Sequence, residues 1–400
     1  MIMRTVEEHQ KIVAGLLKTR ASQDLPLNDT LGLVLGADVV APLSLPGFDN
    51  SAMDGYAVVA ADIAAATEDS PVRLPVAEDI PAGRTDPLTL RPGTVHRIMT
   101  GAPLPSGATA VVPVEATDGA TDTVTIRAAA REGQHVRRAG EDVTAGTTVL
   151  RAGQVITPAA LGLAAALGLA TLPVLPPQRV TVMSTGTELV APGTELQPGQ
   201  IYESNAVMLA AAVRDAGAQA TIAPMSADDV DAFRAALAQH TRSNDSVDLI
   251  ITTGGVSAGA YEVVKDSLSD QVEFVKVAMQ PGMPQGAGTV NGVPIITLPG
   301  NPVSALVSFE VFVRSPLRAA MGHAEPDRPR RTAQLTEDVT SPRGKRQFRR
   351  GVLTGDTVSS YGPPASHHLR WLASANCLLE ITEDITELKS GSTVPVWDLT

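Results

Sequence analysis

The sequence predicts a multidomain protein that joins a doubly wound α/β domain to β-rich domains. The chain has 400 residues, of which 44% are hydrophobic, so roughly two to four domains with separate cores are expected. Between 179 and 321, apolar runs alternate with helical periods, which is typical of a parallel sheet with crossover helices. Short β-type runs broken by turn residues occupy 71–137 and 332–400.

The N-terminal elements are a helix and a small β domain. Residues 4–20 carry apolar side chains at helical spacing, which predicts an amphipathic helix. Between 71 and 137, the β-type runs are separated by Pro-Ala-Gly, Arg-Pro-Gly and Pro-Ser-Gly, which predicts an all-β domain. Thr157 and Pro158 predict the N-cap and first residue of a second helix. The stretch LPVLPPQ at 172–178 is interpreted as the linker that follows it.

The next elements belong to the α/β domain. Four apolar runs, RVTVMST, QATIAPM, VDLIITT and VPIITLP, predict strands that are buried on both faces of a parallel sheet. Three helices are predicted between and after them, in YESNAVMLAAAVRDAG, SADDVDAFRAALAQH and PVSALVSFEVFVRSPL. The Pro/Arg-rich segment 325–331 then leads into a C-terminal β-barrel or sandwich.

Composition excludes several classes of protein. The formal net charge of −12 argues against nucleic acid as a partner, because binding to phosphates needs a basic surface. No apolar run reaches the about 18 residues of a membrane span, and the N-terminal segment carries acids where a signal peptide would be apolar. We therefore expect a cytoplasmic protein without a membrane partner. The single cysteine, Cys377, excludes an internal disulfide and a cysteine-cluster metal site.

The polar run FDNSAMDGYA at 48–57 stands out between apolar flanks. Asn, Asp, Ser and Gly bond to their own backbone and favour turns, so a capped surface turn is one interpretation. The other is a loop whose oxygen donors hold a polar substrate or a hard cation such as Mg²⁺. The residues alone leave both open.

Three strand ends of the α/β domain carry glycine-rich polar motifs, STGTEL, TTGGVSAG and LPGNPVSA. Glycines let backbone N–H groups approach an anion, and Asn301 with Pro302 predicts a capped helix whose N-terminus faces the same edge. Carboxylates near such an anion site need a neutralising cation, for which Mg²⁺ is the usual solution. The motifs of phosphate-loop nucleotidases, Rossmann dehydrogenases, zinc proteases and α/β-hydrolases are absent from the sequence.

Eight motifs along the chain carry a family resemblance. They are PGFDNSAMDGYAV (46–58), IMTGAPLP (98–105), RRAGEDV (137–143), STGTEL (184–189), IYESN (201–205), TTGGVSAG (252–259), LPGNPVSA (298–305), and SHHL (366–369) with SAN (374–376). In order and over nearly the whole chain, these motifs resemble the molybdopterin molybdenumtransferase family, to which the E domain of gephyrin also belongs.

The resemblance implies the last step of molybdenum cofactor synthesis. Its substrates are adenylylated molybdopterin and molybdate; the phosphate anhydride is hydrolysed with Mg²⁺, and molybdenum enters the dithiolene as AMP leaves. It also implies a homodimer of elongated, L-shaped protomers, with a molybdopterin adenylyltransferase as a further candidate partner. The expected domains are a discontinuous helical domain (1–45 and 139–177), a β-rich insert (46–138), an α/β molybdopterin-binding domain (178–325) and a C-terminal β domain (326–400).

The resemblance also assigns roles to individual residues. It implies catalytic roles for Asp54, Thr100, Asp142 and Glu188, with Asp142 and Glu188 as Mg²⁺ ligands, and Asp54 and Thr100 reaching the site from the β-domain side. The positions expected to bind the substrate or the anion are Ser184, Thr185, Gly186, Asp228, Gly254, Gly255, Ser257, Glu262, Lys276, Pro299, Gly300, Asn301, Arg350 and Ser366.

One departure and two alternatives accompany the resemblance. Where many relatives carry a lysine on each side of Pro-Gly, this chain has Gln280 and Met283, so molybdate and tungstate both stay open as the oxyanion. A molybdopterin adenylyltransferase would use the same α/β edge, but it needs neither the residues before 176 nor those after 331. A non-catalytic scaffold with a gephyrin-like fold is the alternative from another class.

Overall fold

The computed structural model describes residues 3–225, 229–242, 247–255 and 263–400. These residues form two compact units. The first unit comprises Leu25–Leu31 and Ala37–Leu172; the second comprises the described residues up to Asp24, Gly32–Gly36 and Pro173–Thr400. The α-helices are α1 (Val6–Leu16), α2 (Pro158–Ala166), α3 (Asn205–Asp215), α4 (Val230–Arg242), α5 (Val263–Leu268), α6 (Pro302–Ser308), α7 (Ser315–Ala320) and α8 (Leu369–Ala373).

The first unit is built on a five-stranded sheet. Its strands are β1 (Gly55–Val58), β2 (Val72–Ile80), β3 (Val95–Ile98), β4 (Ala110–Pro113) and β5 (Thr123–Ile126), in the order β4-β1-β3-β2-β5. Only β2 and β3 pair in parallel within this sheet. Tyr56, Val95 and Val112 are fully or almost fully buried in its core. The predicted β-rich character of this region is confirmed.

Shorter elements complete the first unit. Asn50–Ser51 pairs with Val136–Arg137, and Val39–Val40 pairs with Thr148–Leu150. Helix α2 starts as predicted, because the Thr157 hydroxyl accepts a hydrogen bond from the Ala160 N–H at 3.2 Å and Pro158 takes the first helical position.

The second unit contains the predicted doubly wound domain. Its strands are β6 (Arg179–Ser184), β7 (Gln219–Ile222), β8 (Leu249–Thr253), β9 (Val272–Lys276), β10 (Pro284–Val290) and β11 (Val293–Leu298), in the order β7-β6-β8-β11-β10-β9. Strands β7, β6, β8 and β11 run parallel, and β10 and β9 are antiparallel additions. Val182 and Ile251 pack with α3, whereas Ile250 and Ile295 pack with α4 and α5 on the other face.

Four details differ from the sequence predictions. The first helix covers Val6–Leu16 rather than 4–20, starting at a capping box formed by Thr5 and Glu8. Strand β7 is not buried on both faces, because it lies at the sheet edge and three of its four residues are exposed. The predicted linker 172–178 contains most of a strand, Thr171–Leu175, whose Val174 and Leu175 pair with Val34–Leu35. The last predicted helix is interrupted by a π-helical stretch, Phe309–Arg314, between α6 and α7.

The C-terminal region is a closed barrel rather than a sandwich. Its strands are β12 (Arg330–Leu335), β13 (Arg346–Thr354), β14 (Thr357–Ser360), β15 (Cys377–Ile381) and β16 (Thr393–Asp398). They close in the order β13-β14-β12-β16-β15, since β15 pairs back to β13. The barrel contacts the α/β domain through Met279–Gln280, which pairs in parallel with Arg346 and Gln347. None of the helices in the described ranges is long and apolar enough to cross a membrane.

Candidate functional site

An open cleft of about 1010 Å³ lies at the carboxyl ends of β6, β8 and β11. The chain leaves β6 for β7 on one side and later enters β8 on the other, so the strand order reverses at this point. Such a reversal creates the crevice in which doubly wound proteins bind ligands. The glycine-rich motifs after all three strands line the cleft.

Two consecutive glycines shape the floor of the cleft. Gly254 and Gly255 follow β8 with φ values of +94° and +64°, which favour glycine. A Cβ atom on Gly254 would lie 2.8 Å from the Thr185 carbonyl oxygen, so any side chain there would collide with the turn after β6. The backbones of the two turns can therefore approach each other and a ligand closely.

Glu203 is a buried carboxylate in the cleft wall, with 5% of its surface exposed. Its Oε1 atom accepts a hydrogen bond from the Ser184 hydroxyl at 2.9 Å and another from the Ala206 N–H at 2.7 Å. The second bond satisfies a free N–H group in the first turn of α3. Glu203 thus fixes the Ser184 hydroxyl at the end of β6 to the start of the next helix.

Asn205 ties the other strand ends together. Its Nδ2 atom donates to the Thr253 hydroxyl at 3.0 Å and to the Gly300 carbonyl at 2.6 Å. The Thr253 hydroxyl in turn donates to the Pro299 carbonyl at 3.2 Å. One amide at the start of α3 therefore holds the ends of β8 and β11 in register.

The C-terminal barrel contributes the opposite wall. The loop 363–368 places Ser366 and His367 on the cleft. The Val303 N–H at the start of α6 donates to the Ser366 carbonyl at 3.0 Å. Arg350, with 4% of its surface exposed, donates to the carbonyls of Ala365 at 3.3 Å and His368 at 3.0 Å, and also to that of Pro363. This buried guanidinium anchors the loop from beneath.

The cleft has a distinctive charge pattern. Within the described ranges, the residues that line it include the carboxylates of Glu188 and Glu203 and no lysine or arginine. Gln280 and Met283, the two residues at which the sequence departs from the resemblance, lie on this lining. The Gln280 Oε1 atom accepts a hydrogen bond from the Gln347 amide of the barrel at 2.8 Å. Apart from His367, the described residues of the lining offer neutral donors rather than cationic side chains.

The structure brings most of the predicted binding residues together. The cleft is lined by Ser184, Thr185, Gly186, Glu188, Gly254, Gly255, Pro299, Gly300, Asn301 and Ser366. Lys276 is exposed at the end of β9 and does not line it, and Arg350 lies under the loop. Asn301 takes the N-cap position of α6, but its side chain makes no capping hydrogen bond. Asp228, Ser257 and Glu262 lie outside the described residues.

The first unit holds the other predicted catalytic residues. Asp54 Oδ1 accepts hydrogen bonds from the Thr100 N–H at 2.6 Å and from the Thr100 hydroxyl at 2.7 Å. These bonds, with a weaker contribution from Arg97, hold the pKa of Asp54 below its ordinary value. Asp142 is exposed, and its N–H donates to the Leu45 carbonyl at 3.0 Å.

Asp49 and Asn50 hold the run FDNSAMDGYA in place through hydrogen bonds. Asp49 accepts a hydrogen bond from Arg138 at 2.6 Å and another from the Ala139 N–H at 2.8 Å, which lowers its pKa. The Asn50 amide donates to the Phe48 carbonyl at 3.1 Å. Asp49 and Asn50 thus stabilise the loop, and Asp54 projects from its far end into solvent.

The donor set in the cleft is compatible with Mg²⁺. No group of three or more His, Cys, Asp or Glu side chains is gathered for a metal ion in the part of the chain that the structure describes. Mg²⁺, however, commonly binds through one or two carboxylates together with substrate phosphates. Glu188 supplies one such exposed carboxylate beside the glycine-rich turns.

Glu203 and Asn205 are site residues that the sequence reasoning missed. They belong to the motif IYESN, which was used only for the resemblance. A signal was present, since an acid in the first turn of a predicted helix can bond to its N-terminal N–H groups. Their contacts to Ser184 and Thr253 depend on the tertiary fold and could not be inferred from spacing.

Comparisons with known proteins agree with the fold and the site. Residues 4–168 match the MoeA N-terminal region (domain I and II), 181–319 a probable molybdopterin binding domain, and 332–399 the MoeA C-terminal region (domain IV). The cleft therefore lies in a protein of the MoeA class.

Individual relatives cover the whole chain. The chain is 66% identical to molybdopterin molybdenumtransferase 2 of Mycobacterium tuberculosis, over 100% of both proteins. It is 32% identical to molybdopterin molybdenumtransferase of Bacillus subtilis, over 98% of this chain and 93% of that protein. A crystal structure of the molybdopterin biosynthesis MoeA protein of Pyrococcus horikoshii superposes with a TM-score of 0.84 at 30% identity, covering 100% of both chains. The chain belongs to the molybdopterin molybdenumtransferase family.

Proposed function

We propose that this protein catalyses molybdenum insertion in molybdenum cofactor biosynthesis, using molybdate and adenylylated molybdopterin and releasing AMP. Family membership over the full length supports the reaction class. The observation that carries the proposal is the cleft, which combines glycine-rich turns after three strands with an exposed carboxylate, Glu188. Backbone N–H groups in such turns suit phosphates and oxyanions.

The proposed site residues, in the cleft and in the first unit, have separate roles in the reaction. The turns after β6, β8 and β11 would bind the phosphate and pterin portions, because they offer neutral donors with little reorganisation. Ser184 and Thr253, fixed by Glu203 and Asn205, keep these turns in place. Glu188, with Asp142, is the proposed Mg²⁺ ligand, and Mg²⁺ would supply charge neutralisation at the phosphate anhydride. Asp54 and Thr100 complete the proposed catalytic set.

Family membership also suggests an oligomeric state, a cellular compartment and a protein partner. We expect a homodimer in the cytoplasm, with a molybdopterin adenylyltransferase as the protein that delivers the adenylylated pterin. Light scattering of the purified protein tests the oligomeric state, and a mass near that of one 41.5 kDa chain would contradict the dimer. Pull-down of the purified adenylyltransferase by this protein tests the partner, and no retention above a bead control would contradict it.

A reconstitution assay tests the proposed reaction. The protein is incubated with adenylylated molybdopterin, Mg²⁺ and molybdate, and release of AMP and molybdenum cofactor are both measured. Wild-type protein should form both products, Glu188→Ala should lose most activity, and Glu195→Ala, which changes an exposed acid outside the cleft lining, should not. Equal activity of wild type and Glu188→Ala would contradict the catalytic assignment.

The same preparation distinguishes the two alternatives. Net formation of adenylylated molybdopterin from molybdopterin and Mg-ATP would favour an adenylyltransferase. The absence of turnover in wild-type protein that is fully folded would favour a scaffold. Tungstate in place of molybdate then tests which oxyanion the cleft accepts.

A further inference from the structure

We infer that His367 is an anion-contacting, specificity-determining residue of the cleft. The inference rests on the proposed function, because it names the group that recognises the negatively charged part of the substrate. In the described part of the chain, His367 is the one basic residue among those that line the cleft, which would hold a tetrahedral oxyanion, either molybdate or a phosphate.

The charge balance of the cleft makes this position important. Glu188 and Glu203 lie on its walls, and the residues that line it within the described ranges include no lysine or arginine. Backbone N–H groups and amides can bind an oxyanion, but a hydrogen bond from a cation is about twice as strong as a neutral one. A protonated histidine can provide that cation.

The loop holds His367 in a defined place. Its neighbours on both sides are fixed, since the Ser366 carbonyl accepts a hydrogen bond from Val303 and the His368 carbonyl accepts one from Arg350. The His367 ring also packs edge to face on the His368 ring, with 4.3 Å between centroids. An anchored loop loses little conformational freedom when a ligand binds, which favours recognition.

The charged groups around His367 are few. The buried guanidinium of Arg350 lies beneath the loop, where burial, with a smaller contribution from Arg349, lowers its pKa. Arg370 on α8 lies over the Trp371 ring and does not line the cleft. Helix α6, against which the loop packs, carries no charged side chain. Within the described ranges, Glu188 and Glu203 are the acids that share the cleft lining with His367, and the imidazole of His368 packs on its ring.

Direct binding measurements test the inference. Full-length protein is titrated with molybdate and, separately, with AMP by calorimetry at pH 6 and pH 8. The variants are His367→Gln, which is neutral, His367→Lys, which stays cationic, and Arg370→Gln, a matched loss of charge outside the cleft. Comparing variants at one pH cancels the titration of the ligand itself.

The expected pattern is specific. His367→Gln should weaken binding roughly tenfold, as expected for loss of a charge-assisted hydrogen bond. His367→Lys should keep the affinity at both pH values, and Arg370→Gln should match wild type. If His367→Gln loses affinity only for molybdate, His367 contacts the metal oxyanion. If it loses affinity only for AMP, His367 contacts a phosphate.

Two failures can be separated. If wild-type protein binds both anions and His367→Gln binds them equally well at pH 6, the role of His367 is wrong while the proposed function stands. If wild-type protein binds neither anion and performs no transfer, both are wrong. Thermal melts of all variants exclude unfolding as the cause of any loss.

Discussion

Asp54 and Thr100 form a two-point contact in the first unit, in which one carboxylate oxygen accepts both the backbone N–H and the hydroxyl of the threonine. The two distances, 2.6 and 2.7 Å, indicate charge-assisted hydrogen bonds. Both Thr100 groups donate to Oδ1 of Asp54. The contact therefore fixes the Asp54 side chain, which stays exposed. This arrangement presents an oriented negative charge at the end of the polar loop.

Replacing Asp54 with Asn should separate activity from stability. The amide oxygen can still accept both hydrogen bonds, but the charge is lost, so we expect the transfer rate to fall by roughly 100-fold. The melting temperature should fall only slightly more than for Asp69→Asn, an exposed acid of the same unit, because the two hydrogen bonds remain but lose their charge. Initial rates and thermal melts provide the two measurements. A large loss of stability with unchanged rate would show that the loop is purely structural.

Removing the Thr100 hydroxyl should have a pH-dependent effect on stability. Because the hydrogen bonds from Thr100 lower the pKa of Asp54, the ionised carboxylate stabilises the folded protein above the ordinary aspartate range. That contribution disappears as the pH falls through the lowered pKa. The difference in melting temperature between wild type and Thr100→Ala should therefore be present at pH 7 and shrink toward pH 3. A constant difference over this range would contradict the linkage.

Truncating Glu203 should destabilise the second unit. Glu203→Ala leaves the Ser184 hydroxyl and the Ala206 N–H without their acceptor, so the free energy of unfolding should fall by about 1–3 kcal/mol. Glu203→Gln keeps an oxygen that can accept and should lose less. Urea unfolding of both variants measures the difference. If both variants lose the same free energy of unfolding, the charge of Glu203, rather than its hydrogen-bond acceptor, stabilises the unit.

A side chain at Gly254 should be poorly tolerated. Gly254→Ala places a Cβ 2.8 Å from the Thr185 carbonyl oxygen, in addition to the strain of a positive φ. Gly193→Ala is the matched control, since Gly193 has φ +90° but an added Cβ would meet nothing within 4 Å. We expect Gly254→Ala to cost about 1–3 kcal/mol more than the control in urea unfolding. If both variants lose a similar free energy of unfolding, the turns after β6 and β8 can move apart to accommodate the added Cβ atom.

Cys377 should report on unfolding of the barrel. It is fully buried at the start of β15, and burial raises the pKa of its thiol to about 12. Native protein at pH 8 should therefore react slowly with a thiol reagent, and protein in denaturant should react fully with one thiol per chain. Since the folded pKa is raised, the associated stability is present at neutral pH and declines as the pH rises above the ordinary cysteine value. Rapid labelling of the native protein would contradict this burial.

Regular patterns made much of the architecture predictable. The apolar strands of the α/β domain and their glycine-rich ends have local signals, and parallel strands necessarily place those ends at one edge. Thr157 and Pro158 likewise start a helix through contacts within one turn. Such features depend on near neighbours in the chain, so a single sequence is sufficient to predict them.

The features that escaped prediction depend on distant neighbours. The exposure of β7 follows from its place at the sheet edge, and the strand within 172–178 exists because Val34–Leu35 pairs with it. Glu203 and Asn205 become site residues only when Ser184, Thr253 and Gly300 are folded around them. The π-helical stretch after α6 has no signal in the helical periodicity on which the prediction depended.

The anchoring of the loop 363–368 has a consequence for how the cleft acquires its second wall. Val303 and Arg350 hold this loop through backbone carbonyls, so its position does not require a particular side chain within the loop itself. Substitutions at Ser366 or His367 can therefore change the chemistry of the wall while its backbone keeps its path. The barrel therefore sets the backbone of the second wall independently of the side chains that this wall presents to the cleft.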